Sequence, residues 1–293
     1  MNPKRAGGRF VRSILSRLGY HLLRDADLLA TELLLLRSRS ESISRRGYIE
    51  ILLAAARQGG AHPPQVAEFL DFCARHYGLS NSADGQDLFV LYATGLRRGG
   101  TFLEIGGADG ITQSNTLSLA QHFGWKGALV EPDQGQFRLL AAARPGDRTL
   151  RCAISPDGAE GTLELVTVGQ LSCLAGHEPV DQHSAARQQH AERQVVRTVN
   201  INRILEELGP VTYFSLDVEG TELAILRQVD WRRMTPPLCL TIEHNHDLDR
   251  KRAILDLLLP LGYRELFPEQ EWLSRGDLWL VHGQGAPAAK AGA

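Results

Sequence analysis

The sequence predicts an α/β fold, a doubly wound and mostly parallel sheet. Three observations carry the prediction. Short apolar runs alternate with helix-patterned segments from residue 101 onward. Acids and glycines cluster just past the ends of those runs. The 293 residues suffice for one large core with an appendage. Strands alternating with helices imply right-handed βαβ crossovers.

The chain opens on a basic lead-in, residues 1–48. Residues 1–46 hold ten Lys/Arg against four Asp/Glu, while the whole chain carries a formal charge of −2. The overall balance gives no nucleic-acid signature. Phe10, Val11, Ile14, Leu15, Leu18 and Leu22 recur at helical spacing. Three readings stay open: a helix packed on the main domain or a partner, a helix lying on an anionic membrane surface, and a loose arm. The apolar run 28–36 contains Glu32 and is too short to span a bilayer. Arg9, Arg12 and Arg17 interrupt any secretory signal. The four cysteines are scattered without metal-ligand spacing, so a reducing, cytoplasmic setting is expected. On the membrane reading, residues 1–46 would hold the protein peripherally at the inner face of the membrane.

Residues 49–98 read as helical, broken at 59–64 and 78–85, and end in a short amphipathic helix, 85–96. The expected organisation is an N-terminal helical extension (1–98), a main domain (99–283) and a low-complexity tail (284–293). In the main domain, 101–105 is the first strand. A helix follows over 114–124 with Ser114 as N-cap. Next come strand 127–132, helix 133–144, strand 148–155 and an extra strand, 161–168. Segment 169–195 fits no strand and reads as a cap over the site. Its His177, His183 and His190 have no partner at ligand spacing. Strand 211–220 precedes helix 221–229, and strand 238–245 precedes helix 248–262. Strands 263–267 and 277–283 close the domain.

In such a sheet, ligands bind beyond the carboxyl ends of the strands. Gly106, Gly107 and Gly110 follow the first strand and admit close approach of a ligand to backbone. Their spacing is not G-x-G-x-x-G, and Asp109 would repel a pyrophosphate. That disfavours NAD and nucleoside triphosphates and favours a ligand with a cationic part. Glu131 ends the second strand, where an acid suits both ribose hydroxyls of an adenosine or caps the next helix. The combination points to S-adenosylmethionine.

In order, GQDLFV, FLEIGGADGITQSNT, GWKGALVEP, AIS, SLDVEGTE and IEHN resemble the FkbM-type methyltransferase family over residues 85–283. Gly107 stands where relatives often carry Ala or Ser. The resemblance implies a Rossmann-like class I methyltransferase with a seven-stranded sheet, using S-adenosyl-L-methionine. Glu104 and Gly106, with Gly107 beside them, would line the methionine part. Asp109 would help hold the amino end. Ser114 and Asn115, at a helix N-terminus, suit the carboxylate. Glu131 would bind the ribose, and Cys152, Ala153 and Ile154 would lie along the adenine.

On the acceptor side, Asp217 and Glu219 end the fourth parallel strand, and Glu243, His244 and Asn245 the fifth. Asp217, Glu219 and His244 are the candidate catalytic residues. His244 or Asp217 would act as general base, or the three would hold a magnesium or manganese ion. Spacing leaves both open. The implied activity is methyl transfer to a hydroxyl of a sugar, glycan or natural product. Residues 12–24 resemble openings of methyltransferases of bacterial surface polysaccharides. The alternatives are a catalytically inactive cofactor-binding module in a biosynthetic assembly and, more weakly, a dehydrogenase.

Overall fold

Alternate residues of each central strand feed two apolar layers, and this alternation sets the architecture. The computed structural model describes residues 32–43, 46–47, 51, 55, 62–167, 172–177 and 192–283. In chain order the labelled helices are α1 (Pro64–His76), α2 (Gln86–Ala93), α3 (Leu117–Phe123), α4 (Gln134–Ala143), α5 (Ile201–Leu208), α6 (Glu222–Gln228), α7 (Leu248–Leu258) and α8 (Glu271–Ser274). The strands are β1 (Thr101–Ile105), β2 (Lys126–Val130), β3 (Arg148–Leu150), β4 (Ala153–Ile154), β5 (Gly161–Thr167), β6 (Cys173–Leu174), β7 (Glu192–Val199), β8 (Tyr213–Leu216), β9 (Cys239–Glu243), β10 (Tyr263–Glu265) and β11 (Asp277–His282).

The central sheet has seven strands in the order β10-β11-β9-β8-β1-β2-β3. The pairs from β9 through to β3 are parallel, while β11 runs antiparallel to both β9 and β10. Strand order reverses between β1 and β8, which is where a doubly wound sheet opens a crevice. Phe102, Tyr213, Cys239 and Trp279 pack on one face with α1, α2 and α3. Leu103, Ile105, Phe214, Leu216 and Ile242 pack on the other with α5, α6 and α7.

Several elements differ from the sequence expectation. α2 is buried at all eight positions, so it is a core helix and not an amphipathic one. The expected third strand splits: β3 joins the central sheet and β4 a separate four-stranded sheet, β4-β7-β5-β6. Segment 169–195 is not strand-free, because β6 pairs with β5, and β7 starts at Glu192 and pairs with β5 along its length. The helix expected from Ser114 starts at Leu117, because Ser114, Asn115 and Thr116 are drawn to the buried carboxylate of Glu104. The proposed N-terminal stripe, residues 178–191 with His183 and His190, and the tail 284–293 lie outside the described residues. His177 is exposed.

The break at 78–85 is an ordered brace. Asp87 is fully buried and accepts from Ser80 Oγ (2.7 Å), Asn81 N (2.7 Å) and Ser82 Oγ (2.7 Å). Asn81 Nδ2 then donates to the carbonyls of Ile111 (2.6 Å) and Ser114 (3.1 Å), fastening the exit of the glycine-rich loop. Ser40, on the helical stretch 32–43, donates to Ile111 O (3.1 Å) and accepts from Gln113 N (3.2 Å). Chain ahead of residue 98 thus holds the loop of the main domain in place.

Candidate active site

A cavity of about 380 Å³ opens at the switch point, lined by the carboxyl ends of β1, β2, β4 and β8 and by β5 and β6 of the small sheet. Its volume falls within the range of small-ligand sites. Glu104, Gly106, Gly107, Ser114, Asn115, Glu131, Cys152, Ala153, Ile154, Asp217 and Glu219 all line it. Asp109 and His244 do not. Three lining residues with side chains, Ala108, Gln113 and Glu219, sit at positive φ, strain that persists only where the surroundings hold it.

The glycines serve the protein's own packing. A Cβ on Gly106, at φ +88°, would lie 1.7 Å from the carbonyl oxygen of Asp217. One on Gly110, at φ +73°, would lie 2.5 Å from Leu140 Cδ1 and 2.9 Å from Arg144 Cγ. The loop therefore threads between β8 and α4, whatever ligand approaches it. Asp109 closes the loop from inside: its Oδ1 accepts from Ile111 N (2.8 Å) and Thr112 N (2.6 Å). Both of these donors belong to Asp109's own loop, and the residue does not line the cavity.

Glu104 is buried and gathers the three residues that lead from the loop into α3. Ser114 Oγ (3.0 Å) and the Thr116 hydroxyl donate to Oε2, and Asn115 N (2.8 Å) donates to Oε1. Burial raises its pKa, opposed first by Arg144 and then by these donors. The backbone N–H of Asn115 is thus spent on Glu104, and its side chain donates to Ser215 Oγ (3.0 Å). The free helix N-terminus expected for a cofactor carboxylate is not formed by Ser114 and Asn115.

Glu131 is buried at the end of β2. Oε2 accepts from Ala108 N (2.9 Å) and Oε1 from Asp133 N (2.8 Å). The cap of α4 is Asp133, whose side chain accepts from Gln136 N (2.8 Å). Each oxygen of Glu131 keeps a lone pair. Burial pushes its pKa up to about 7, with those two donors opposing and Asp133 and Asp109 adding to the rise. A buried carboxylate with no cation beside it fits a pair of ligand hydroxyls. The site's residues therefore suit an adenosine-containing cofactor on β1 and β2.

On the acceptor side, register decides which residues meet. Leu216 pairs with Ile242, so Asp217 lies level with Glu243. Oxygens of Asp217, Glu219 and Glu243 all lie within 4.8 Å of one another. His244 follows the end of β9 and is not among the residues whose ligand atoms meet in this trio. Its ring is buried with Nδ1 unpartnered, and burial, then Lys251, lower its pKa to about 4. Of the expected set, Asp217 and Glu219 lie together and are joined by Glu243, while His244 lies outside the group.

The Asp217 side chain is exposed to the open cavity, although protein packs densely around that cavity and other acids stand near it. Burial, then the carboxylate of Asp277, raise its pKa to about 7, while a hydrogen bond with Glu243 opposes the rise. Burial and Asp217 hold Glu243 far above the carboxylate range. Glu222, fully buried, accepts from Val218 N (3.0 Å) and Gly220 N (3.0 Å) and so fixes the turn that carries Glu219.

A seven-stranded sheet in this order, with β11 reversed and a ligand-sized cavity at the β1–β8 switch, defines a class I methyltransferase fold. Residues 104–265 match the profile of the "Methyltransferase FkbM domain". The chain belongs to this FkbM methyltransferase family, which implies S-adenosylmethionine as methyl donor. It is also similar to the solved FkbM methyltransferase of Methylobacillus flagellatus, at 14% identity and TM-score 0.38, over 80% of this chain and 58% of that one. Precorrin-6y C5,15-methyltransferase of Geobacter metallireducens shows 10% identity and TM-score 0.38, over 64% and 75% of the two chains. A TehB-like methyltransferase of Corynebacterium glutamicum shows 11% and 0.36, over 73% and 96%. Comparison with curated proteins gives no match. Among the described residues, no helix is long and apolar enough to cross a membrane.

Proposed function

We propose that the protein transfers a methyl group from S-adenosylmethionine to the hydroxyl of a neutral, aliphatic acceptor such as a sugar, a glycan or a natural product. The observation that carries this reading is Asp217 opening into the cavity beside Glu243, with its pKa raised to about 7. A general base works best with a pKa near the operating pH. The cofactor supplies an electrophilic methyl on a sulfonium. Glu131 takes the ribose hydroxyls, Cys152, Ala153 and Ile154 flank the adenine, and Gly106 and Glu104 border the methionine end. Asp217 accepts the acceptor's hydroxyl proton as the oxygen attacks the methyl carbon in line with the breaking C–S bond.

The acceptor class follows from the lining. On the acceptor side the cavity carries Asp217 and Glu219, and its described lining includes no Lys, Arg, His or aromatic ring. Such a wall disfavours anionic acceptors and offers no stacking platform. The acid trio favours a second reading, in which Asp217, Glu219 and Glu243 hold a divalent cation that orients the hydroxyl. Incubation with methyl-labelled cofactor and a panel of sugars, in excess chelator, separates the two. Full turnover supports the base. Loss restored by magnesium or manganese selects the cation.

The basic lead-in adds a separate proposal, peripheral attachment to an anionic membrane through residues 1–46. Salt-dependent sedimentation with anionic vesicles, lost on deleting residues 1–24, is the expected result. No sedimentation at low salt would refute it.

A further inference from the structure

Arg144 lies at the far end of α4 from the cofactor side of the cavity and does not line it. It is nevertheless buried, and its guanidinium reaches back beneath the glycine-rich loop. Nη1 donates to Ser114 Oγ (3.1 Å) and Nη2 to Thr116 Oγ1 (3.1 Å). Both hydroxyls donate onward to the same oxygen of Glu104, Oε2. The guanidinium and the carboxylate are thus joined through two hydroxyls in parallel, with no direct contact between them. Nε is held by Asp147 Oδ2 (2.9 Å), Nη1 also reaches Gly110 O (3.4 Å), and the Phe102 ring lies under the guanidinium at 5.5 Å. The planar fork has a defined job at each corner, which a lysine could not reproduce.

We infer that Arg144 is a positioning residue that keeps Glu104 ionised through the Ser114 and Thr116 hydroxyls, so that the β1 end of the cavity presents a negative charge to the cationic end of its ligand. The ligand half of this statement rests on the proposed function; the Arg144–Glu104 linkage does not. Glu104 is the acid that burial would otherwise neutralise. Of the other groups facing it, the Asp217 carboxylate just past β8 adds to the penalty, while Tyr213 of β8 stays a neutral phenol and Glu131 lines the same cavity from β2. Among the described residues, Arg144 is the basic side chain that opposes the rise at Glu104.

The test is a double-mutant cycle in pH. Thermal midpoints are measured for the unliganded full chain as wild type, Arg144→Met, Glu104→Gln and the double variant. Without Arg144, folded Glu104 keeps its proton to higher pH, whereas the unfolded chain loses it near the ordinary value. The Arg144→Met penalty should therefore grow as pH rises between the Glu104 midpoint of the folded wild type and the higher one of the folded variant, the unfolded chain being common to both. The growth should vanish in the Glu104→Gln background, which also cancels whatever Asp147 contributes. Titration with S-adenosylmethionine should show Arg144→Met losing affinity about tenfold per pH unit below its raised midpoint. Arg144→Lys should shift the same way by less, and it carries the test if Arg144→Met does not fold. A penalty equal at every pH, in both backgrounds, would overturn the inference and make Arg144 a packing residue. Wild type that fails to bind S-adenosylmethionine would instead strike the proposed function, and the melting series would still decide the linkage.

Discussion

Replacing Glu131 by Gln keeps the side chain's size and removes its charge. Charge-assisted hydrogen bonds are worth about 1.5–3 kcal/mol each, so affinity for S-adenosylmethionine should fall by at least about tenfold. Calorimetric titration measures this, and unchanged affinity would leave Glu131 as a mere anchor for Ala108 and Asp133. Asp217→Asn should abolish turnover and spare cofactor binding. In the wild type, turnover should rise as pH passes about 7, where Asp217 gives up its proton. The apparent value belongs to the Asp217–Glu243 pair. A flat pH–rate profile between pH 6 and about 8 would remove Asp217 as base. Strand position alone places Glu131 and Asp217 at the strand ends, and both line the cavity there. Facing is not legible in the sequence: IEHN offers Glu243 and His244 side by side, and only the register with β8 shows that Glu243 lies level with Asp217. Arg144 was invisible because its partners lie about 30 and 40 residues away, across the loop.

The small sheet is the element that shapes the cavity's second wall. Leu165 and Leu174 line the cavity and form a cluster with Ala153 and Val196, so this wall is built from few side chains. Leu174→Ala should weaken cofactor affinity and turnover together, with a stability loss near the low end of about 2–5 kcal/mol. Turnover lost at unchanged affinity would make the sheet an acceptor cap alone. The parallel strands β1, β2, β8 and β9 were legible because strands buried on both faces read as continuous apolar runs. β7 was missed because Arg193 and Arg197 interrupt its valines, and because β6 is two residues long. α5 was also missed, although Asn200 caps it and Gly209 ends it. The late start of α3 follows from a long-range attraction to Glu104 that no local signal reports.

Across the whole molecule, the site concentrates acids that folding makes harder to ionise. Glu131 moves from 4.5 to about 7, chiefly through burial, and Asp277 from 3.8 to about 7 for the same reason. A folded-state pKa above the unfolded one means stability is greatest below the unfolded value and declines as pH rises through the folded one. The unliganded protein should therefore lose melting temperature as pH rises from about 4 to about 7, against any opposing trend from surface pairs. Glu131→Gln should flatten that decline; an identical slope would show that Glu131 ionises freely.

The most direct test of the account is mass spectrometry of neutral sugars and glycans incubated with the enzyme and methyl-labelled S-adenosylmethionine, with wild type and Asp217→Asn in parallel. The expected product is a labelled methyl ether on a hydroxyl, formed by the wild type and absent with Asp217→Asn, although both bind the cofactor. Label on nitrogen or carbon, or an equal yield from the variant, would contradict it.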